Sequence, residues 1–473
     1  MRTADLFFSD IEEILSSQAT ILKFGGTSLE DGMAFARVAQ IVSSCNREYP
    51  VVVVSAMSGV TNALIASLHE AARGGVAKAT SSLEEHFERH LTVGKSLGTN
   101  ALARIQVLVE DSRHEIVELL QDTASRHGTA GHSQDLMASH GERLSANLLT
   151  IVLGEYGLWS SYVDARDCIL TNRDHGNAEP LLTETSRRTR AKLSPILAAK
   201  KIPVLGGFIG ATRSGLTTTM GRGASDYTAT LVSAALKARE TQIWTDVDGV
   251  QTADPALVAS AQSVPQLLYT EAAELARLGA RVMHPKMIQP VIEQSIPIRI
   301  RNSRTPERSG TLISAFEKSS THTVKAIAHQ INLSRIDIAS ARACIATGFL
   351  PSIERIFNHH RQPMQIVSFS ESLVSFACEH GDADSHLVRD LSKIGAVKIK
   401  RDQAVISCVG QGLMGAPDNA RRILAIVRSI DSNLSWRSTS DMNLMSIVSA
   451  SSVGPLVRSL HEGIFKSHRL CRS

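Results

Sequence analysis

Aromatic side chains are scarce: Phe, Tyr and Trp make up 4% of the 473 residues. So few rings offer few platforms on which bases could stack, which counts against single-stranded nucleic acid as a partner. A surplus of one charge is also missing. The chain sets 50 Lys and Arg against 46 Asp and Glu, a formal net of +4, well short of the clustered basic surplus that a polyanion-binding surface needs. Six cysteines stand at positions 45, 168, 344, 378, 408 and 471, no two closer than 30 residues. That spacing excludes a CxxC pair or a zinc knuckle and leaves reduced thiols, as expected of a cytoplasmic protein. The histidines show no HExxH or other metal-ligand spacing, so no protein-held metal cage is expected.

Long apolar runs are absent as well. The stretch Val51–Val54 is strand-sized, far below the ~18 residues of a spanning helix. Asp5, Asp10, Glu12 and Glu13 against Arg2 give the first twenty residues a charge opposite to that of a secretory leader. No membrane and no nucleic acid are therefore expected as partners. At roughly 150 residues per domain, the length suggests about three domains.

What is present is a cadence. From residue 20 to about 315, short β-branched runs alternate with longer helical stretches, the pattern of a mainly parallel α/β sheet sandwiched by helices. The expected strands are Thr20–Phe24, Pro50–Ser55, Trp159–Asp164, Pro203–Gly207, Thr241–Thr245 and Pro297–Asn302. Residues 77–127 read as a charged helical insertion. Ser303–Thr323, rich in Ser, Thr, Pro and Gly, reads as a linker. Beyond it, Leu387-Val388-Arg389-Asp390-Leu391 returns 69 residues later as Leu456-Val457-Arg458-Ser459-Leu460. The order of elements before each copy also matches, giving two βαββαβ units.

Three Gly-bearing segments carry candidate chemistry. In Ile21-Leu22-Lys23-Phe24-Gly25-Gly26-Thr27-Ser28, an apolar strand enters a Gly pair ahead of a helix near Asp31. Backbone N–H groups there can face an anion, with Lys23 supplying a full charge. Lys23 precedes the glycines, so this is not a Walker A loop; an ordinary strand-to-helix turn is the alternative. The segment Thr217–Tyr227 (TTTMGRGASDY) runs into a second helix, for which Ser225 or Asp226 suits the N-cap and Arg222 can grip a carboxylate or phosphate bidentately. The third, TDVDGVQTADP from Thr245 to Pro255, has its Gly at position 4, counted from Asp246, rather than at position 6 of a calcium loop. A Gly turn at a parallel strand's carboxyl end is where open α/β sheets bind nucleotides. Glu142, in SHGERLS, is expected in the first turn of a helix, where favourable dipole pairing would account for it.

In order and spacing, KFGGTS, VVVVSAMSGVTN, SHGERLS, GGFIG, TTTMGRGASDYTA, IWTDVDGVQTADP and GARVMHP resemble the aspartate kinase branch of the amino acid kinase family. Residues 325–473 resemble the paired ferredoxin-like ACT domains that follow it. The resemblance implies an N-terminal lead over 1–19, an amino acid kinase domain over 20–315, and ACT domains over 316–395 and 396–473, whose strands can interleave. It implies transfer of the ATP γ-phosphoryl to the β-carboxylate of L-aspartate, the first step of lysine, threonine and methionine biosynthesis, with Mg²⁺ carried by phosphates and waters.

On that resemblance Lys23 and Asp226 are catalytic, and Lys23, Gly25, Gly26, Thr245, Asp246, Gln251 and Arg281 hold ATP. Ser55, Thr61, Glu142, Arg222, Gly223 and Ser225 hold aspartate, Glu142 taking the ammonium and Arg222 a carboxylate. Phe349, Met364, Ser370 and Glu371 fall in the effector region of lysine-inhibited relatives. Lysine or threonine is the implied effector, and a homo-oligomer formed through the ACT domains the implied assembly. The chain departs from the family with Ala224, Gln251, Ala256 and Arg281 near the nucleotide, and with Ala346 and Gln365 near the effector. Those departures keep a second class open: a weakly active or non-catalytic amino-acid sensor.

Overall fold

The computed structural model describes residues 18–221, 223–278, 285–316, 324–339, 348–360, 362, 365–369, 373–379, 385–413, 417–430 and 437–466. They divide into two compact units, one of residues up to 249 with 283–315 and one of 250–282 with 316–473. The units are therefore not consecutive lengths of chain.

Strands are numbered in chain order. Those of the first unit are β1 (Thr20–Phe24), β2 (Pro50–Val54), β3 (Ser160–Val163), β4 (Ile202–Gly206), β5 (Ile209–Ala211), β6 (Thr217–Thr219), β7 (Glu240–Thr245), β9 (Ile298–Asn302) and β10 (Thr311–Ser314), while β8 (Gln266–Leu268) falls in the second unit. The main sheet of the first unit runs β3-β4-β2-β1-β7-β9-β10, parallel except for the antiparallel β10. All six expected strands form, their ends shifted by at most a residue or so. β10 was hidden in the Ser/Thr-rich stretch read as linker, because an edge strand of four residues carries too little periodicity to announce itself.

β1 and β2 are buried at every position, as a central strand covered on both faces must be. Their C-terminal ends line up: Lys23 pairs with Val53 on one side and Ile243 on the other. The sheet thus brings the Gly pair after β1, the loop after β2 and the turn after β7 to one edge. Helices Gly32–Ser44, Val60–Ala72, Gly131–Glu155 and Ala224–Leu236 pack around this sheet. Asp31 caps the first of them, accepting from Ala34 N at 2.8 Å. The insertion folds as three helices, Val76–Ser81, Glu84–Leu97 and Thr99–Ser125, with Phe87, Ile105, Val109, Ile116 and Leu120 joining the main core.

The second unit contains a six-stranded antiparallel sheet in which β11 (Ala326–Ala339), β12 (Gln365–Phe369), β13 (Leu373–Glu379), β14 (Ala396–Val409), β15 (Arg437–Ser440) and β16 (Asn443–Ser449) run β12-β13-β11-β14-β16-β15. The long strands β11 and β14 each serve two cores. Ile336, Ile338 and Val397 face Ile353, Phe357, Leu387 and Leu391. Ile327, Ala404 and Ile406 face Ile423, Val427, Leu456 and Leu460. Each helix offers apolar residues four apart, one stripe per helix. The 69-residue repeat is realised here, since Leu387 and Leu391 fill one core as Leu456 and Leu460 fill the other. The segment 250–261 joins the second core through Ala253 and Val258, and Ile327 N donates to Thr252 O at 2.8 Å.

Cys45, Cys168, Cys378 and Cys408 are free and buried. Among the described residues no helix is long and apolar enough to cross a membrane. Phe357 is fully buried with its ring 5.4 Å from that of Phe376. Its replacement by Ala should cost about 3–5 kcal/mol in the second unit, read as an earlier unfolding transition in urea.

Candidate active site

Lys23 is the fourth residue of β1 and is 8% exposed. Its Nζ lies 2.6 Å from Asp226 Oδ1. Asp226 sits in the first turn of the helix Ala224–Leu236, whose N-cap is Gly223 at φ +73° rather than Ser225 or Asp226. The reason is steric: Gly221 and Gly223 both take left-handed conformations, so the chain enters the helix by a route only glycine travels cheaply. Ser225 and Asp226 are thereby turned from capping to facing. A Cβ on Gly207 would stand 2.6 Å from Ser225 Cα, so this helix approaches the end of β4 more closely than any side chain would permit.

The glycines after β1 fit the same economy. Gly25 N donates to Trp244 O at 3.2 Å, joining the ends of β1 and β7. A Cβ on Gly25 would lie 3.5 Å from Lys23 Nζ, and one on Gly26 would press within 2.9 Å of Ala56 O. Ser55 N closes the ladder on Phe24 O at 3.0 Å. Thr61 stands in the first turn of the helix Val60–Ala72, 3.5 Å from where a Cβ on Gly141 would be. After β7, Thr245 Oγ1 donates to Asp246 Oδ1 at 3.1 Å, and Ser303 N donates to Thr245 O at 2.8 Å.

Glu142 is not in a first turn. It is the twelfth residue of the helix Gly131–Glu155, so pairing with that helix's dipole does not explain it. The helix begins eight residues before Ser139 because Ala130 and Gly131 open it; the SHGE segment lies mid-helix. Glu142 is 4% exposed, with the end of β4 against it: a Cβ on Gly206 would meet Glu142 Cβ at 2.9 Å. Desolvation pushes its carboxyl up to about 8, only partly offset by the Ala56 N–H that binds it and by the field of Lys23. Its Oε2 has no hydrogen-bond partner among the described residues. A buried carboxyl with an idle oxygen is costly unless a ligand completes it, and a cation is the ligand that would return it to the charged form. The neighbouring His140 does other work: its Nδ1 meets Ser112 Oγ at 2.8 Å, tying the helical insertion to this helix.

Lys23, Gly25, Gly26, Ser55, Thr61, Glu142, Ser225, Asp226, Thr245 and Asp246 thus all belong to the first unit and cluster at the carboxyl ends of its strands. Gln251 belongs to the second unit, where it bridges antiparallel to Ser263. Arg222, Arg281, Met364, Ser370 and Glu371 lie outside the described residues. Phe349 opens the helix Phe349–His359 and packs on the first of the two C-terminal cores. Two contributions gave no signal in the sequence: the Ala56 N–H that binds Glu142, and the guanidinium of Arg89. The latter reaches from the insertion to Ser58 O at 2.8 Å and Glu30 O at 3.0 Å, strapping together the loops after β1 and β2.

Against known proteins, the family model described as "Amino acid kinase family" matches residues 18–302. Aspartokinase 2, chloroplastic, of Arabidopsis thaliana is 31% identical over 464 residues, covering 94% of this chain and 84% of that one. Lysine-sensitive aspartokinase 3 of Escherichia coli is 30% identical, covering 95% of this chain and all of that one. The crystal structure of E. coli aspartokinase III with aspartate and ADP superposes with a TM-score of 0.82 at 28% identity, over 94% of this chain and 100% of the other.

In the unliganded protein, Glu142 holds its proton up to about pH 8 whereas the unfolded chain releases it near 4.5. The folded state binds the extra proton in that window, so stability falls as pH rises through it, by up to about 1.4 kcal/mol per pH unit. Glu142→Gln should flatten that slope, as read from melting temperature against pH between 4.5 and 8.

Proposed function

The chain belongs to the amino acid kinase family, and from that premise and the site we infer that it is an aspartate kinase. It transfers the γ-phosphoryl of ATP to the β-carboxylate of L-aspartate, giving 4-phospho-L-aspartate and ADP. The observation that carries this is the Lys23–Asp226 pair at 2.6 Å beside the buried, incompletely bonded carboxyl of Glu142.

The attacking carboxylate needs no general base, so catalysis reduces to alignment and to neutralising a loose, anionic transition state. Lys23 is the charge for the transferring phosphoryl group, and Asp226 holds its ammonium beside the Gly25–Gly26 turn, where the lack of side chains leaves room for ATP. Glu142 takes the substrate ammonium and ionises as it does so. Arg222 takes a substrate carboxylate, with Ser55, Thr61, Gly223 and Ser225 completing that pocket. Thr245 and Asp246 line the nucleotide; the resemblance adds Gln251 and Arg281, which belong to the other unit. Mg²⁺ would come with ATP and would supply charge neutralisation for its phosphates; Asp226, a partly exposed carboxylate beside Lys23, is the residue that would face it.

The C-terminal unit is proposed to be regulatory and to join copies of the chain. Support comes from β12 and β15, which leave the two margins of its sheet as edge strands. The domain limits 1–19, 20–315, 316–395 and 396–473 remain part of this proposal, as does a cytoplasmic location. Lysine, in complex with which E. coli aspartokinase III has also been solved, is the first effector to try, with Phe349, Met364, Ser370 and Glu371 as its region; threonine is the second. The sensor-only alternative is disfavoured because the Lys23–Asp226 pair is intact.

An acyl-hydroxamate assay with L-aspartate and MgATP should show turnover, and Lys23→Ala should reduce it about 100- to 1000-fold. A folded, aspartate-binding protein with no turnover would end the kinase reading. Titrating lysine and then threonine should lower the rate with one of them; a flat response to both would remove the effector.

A further inference from the structure

Asp135 is seven residues before Glu142 on the same helix, two turns away and on the same face. No motif includes it, yet it is 2% exposed. Its Oδ2 accepts from His175 Nδ1 at 2.6 Å, and both oxygens accept from Gly176 N, at 3.1 and 3.2 Å. Thr219 Oγ1 donates to its Oδ1. One carboxylate therefore gathers a turn at residues 173–177 and the last residue of β6. Ala178 N donating to Thr219 O at 2.9 Å ties the same two pieces together.

Two residues after Thr219 comes Gly221, at φ +82°, where a Cβ would stand 2.9 Å from Asn177 Oδ1. The turn that Asp135 holds is thus the wall against which the stem of the Gly221–Gly223 segment rests. We infer that Asp135 is a positioning residue for aspartate binding: through His175, Gly176 and Thr219 it sets where the segment carrying Arg222 begins, relative to Glu142 on its own helix. A single rigid helix then determines the span between the ammonium site and the carboxylate site, about 10 Å of axial rise separating its two acidic residues. The inference rests on the assignment of Glu142 and Arg222 to aspartate.

Charge-assisted hydrogen bonds of this kind are among the strong ones, and the backbone N–H of Gly176 cannot reverse its role. Asp135→Asn puts an amide N–H₂ among donors, whereas Thr219→Val removes one bond and keeps the shape. Steady-state kinetics should show the KM for aspartate raised about tenfold in Asp135→Asn and a few-fold in Thr219→Val, with the KM for ATP within about twofold of wild type. Hydrogen exchange on the unliganded proteins should be faster over 173–178 and 217–223 in both variants. Both KM values moving together, or exchange unchanged in those two segments in Thr219→Val, would overturn the inference. Wild type assayed in parallel separates the two readings. A wild type inert on aspartate ends the kinase assignment, while the exchange data still decide whether Asp135 holds the segment.

Discussion

An ammonium and a carboxylate 2.6 Å apart, both largely withdrawn from water, set how the end of β1 meets the helix Ala224–Leu236. Neither partner is affordable alone at that burial, since a lone charge there would lose its hydration without recompense. The pair requires the helix to come close, and closeness requires glycine. Gly207 leaves room for Ser225, and Gly221 and Gly223 supply the left-handed turns that aim Ser225 and Asp226. These three glycines, which look like punctuation in the sequence, are what lets the two charges meet.

Around that pair the site is arranged as complementary charges waiting for partners. Lys23 has its counter-ion, yet its ammonium borders the Gly25 turn where an anion would lie. Glu142 lacks a cation, and burial keeps its carboxyl largely protonated near neutral pH. A cationic group placed against Glu142 would favour its charged form.

The C-terminal unit obeys a different constraint. Two small βαββαβ repeats would each have a thin core, and sharing the 14-residue strands β11 and β14 makes a single six-stranded sheet with two helix-covered cores. Any rearrangement of one repeat must bend strands that also belong to the other, which is the sort of element an effector could bias.

The parallel strands, the insertion, the repeat and the three Gly-bearing turns were legible in the sequence because each is a local pattern: β-branched runs, helical periodicity, and glycine at strand ends. Lys23, Asp226 and Glu142 were legible as members of ordered motifs. Their environment was not. That Glu142 lies in the middle of a 25-residue helix with its carboxyl deprived of water, and that Gly223 rather than Ser225 caps the next helix, depend on packing between segments far apart in the chain. β10 was lost among serines and threonines, and Asp135 had no signal at all because its partners lie 40 to 84 residues away. Residue order by itself determined which chemistry was available. Tertiary structure decided which carboxylates are charged, which are buried and what each one holds, because desolvation and long-range hydrogen bonds exist only once distant segments meet.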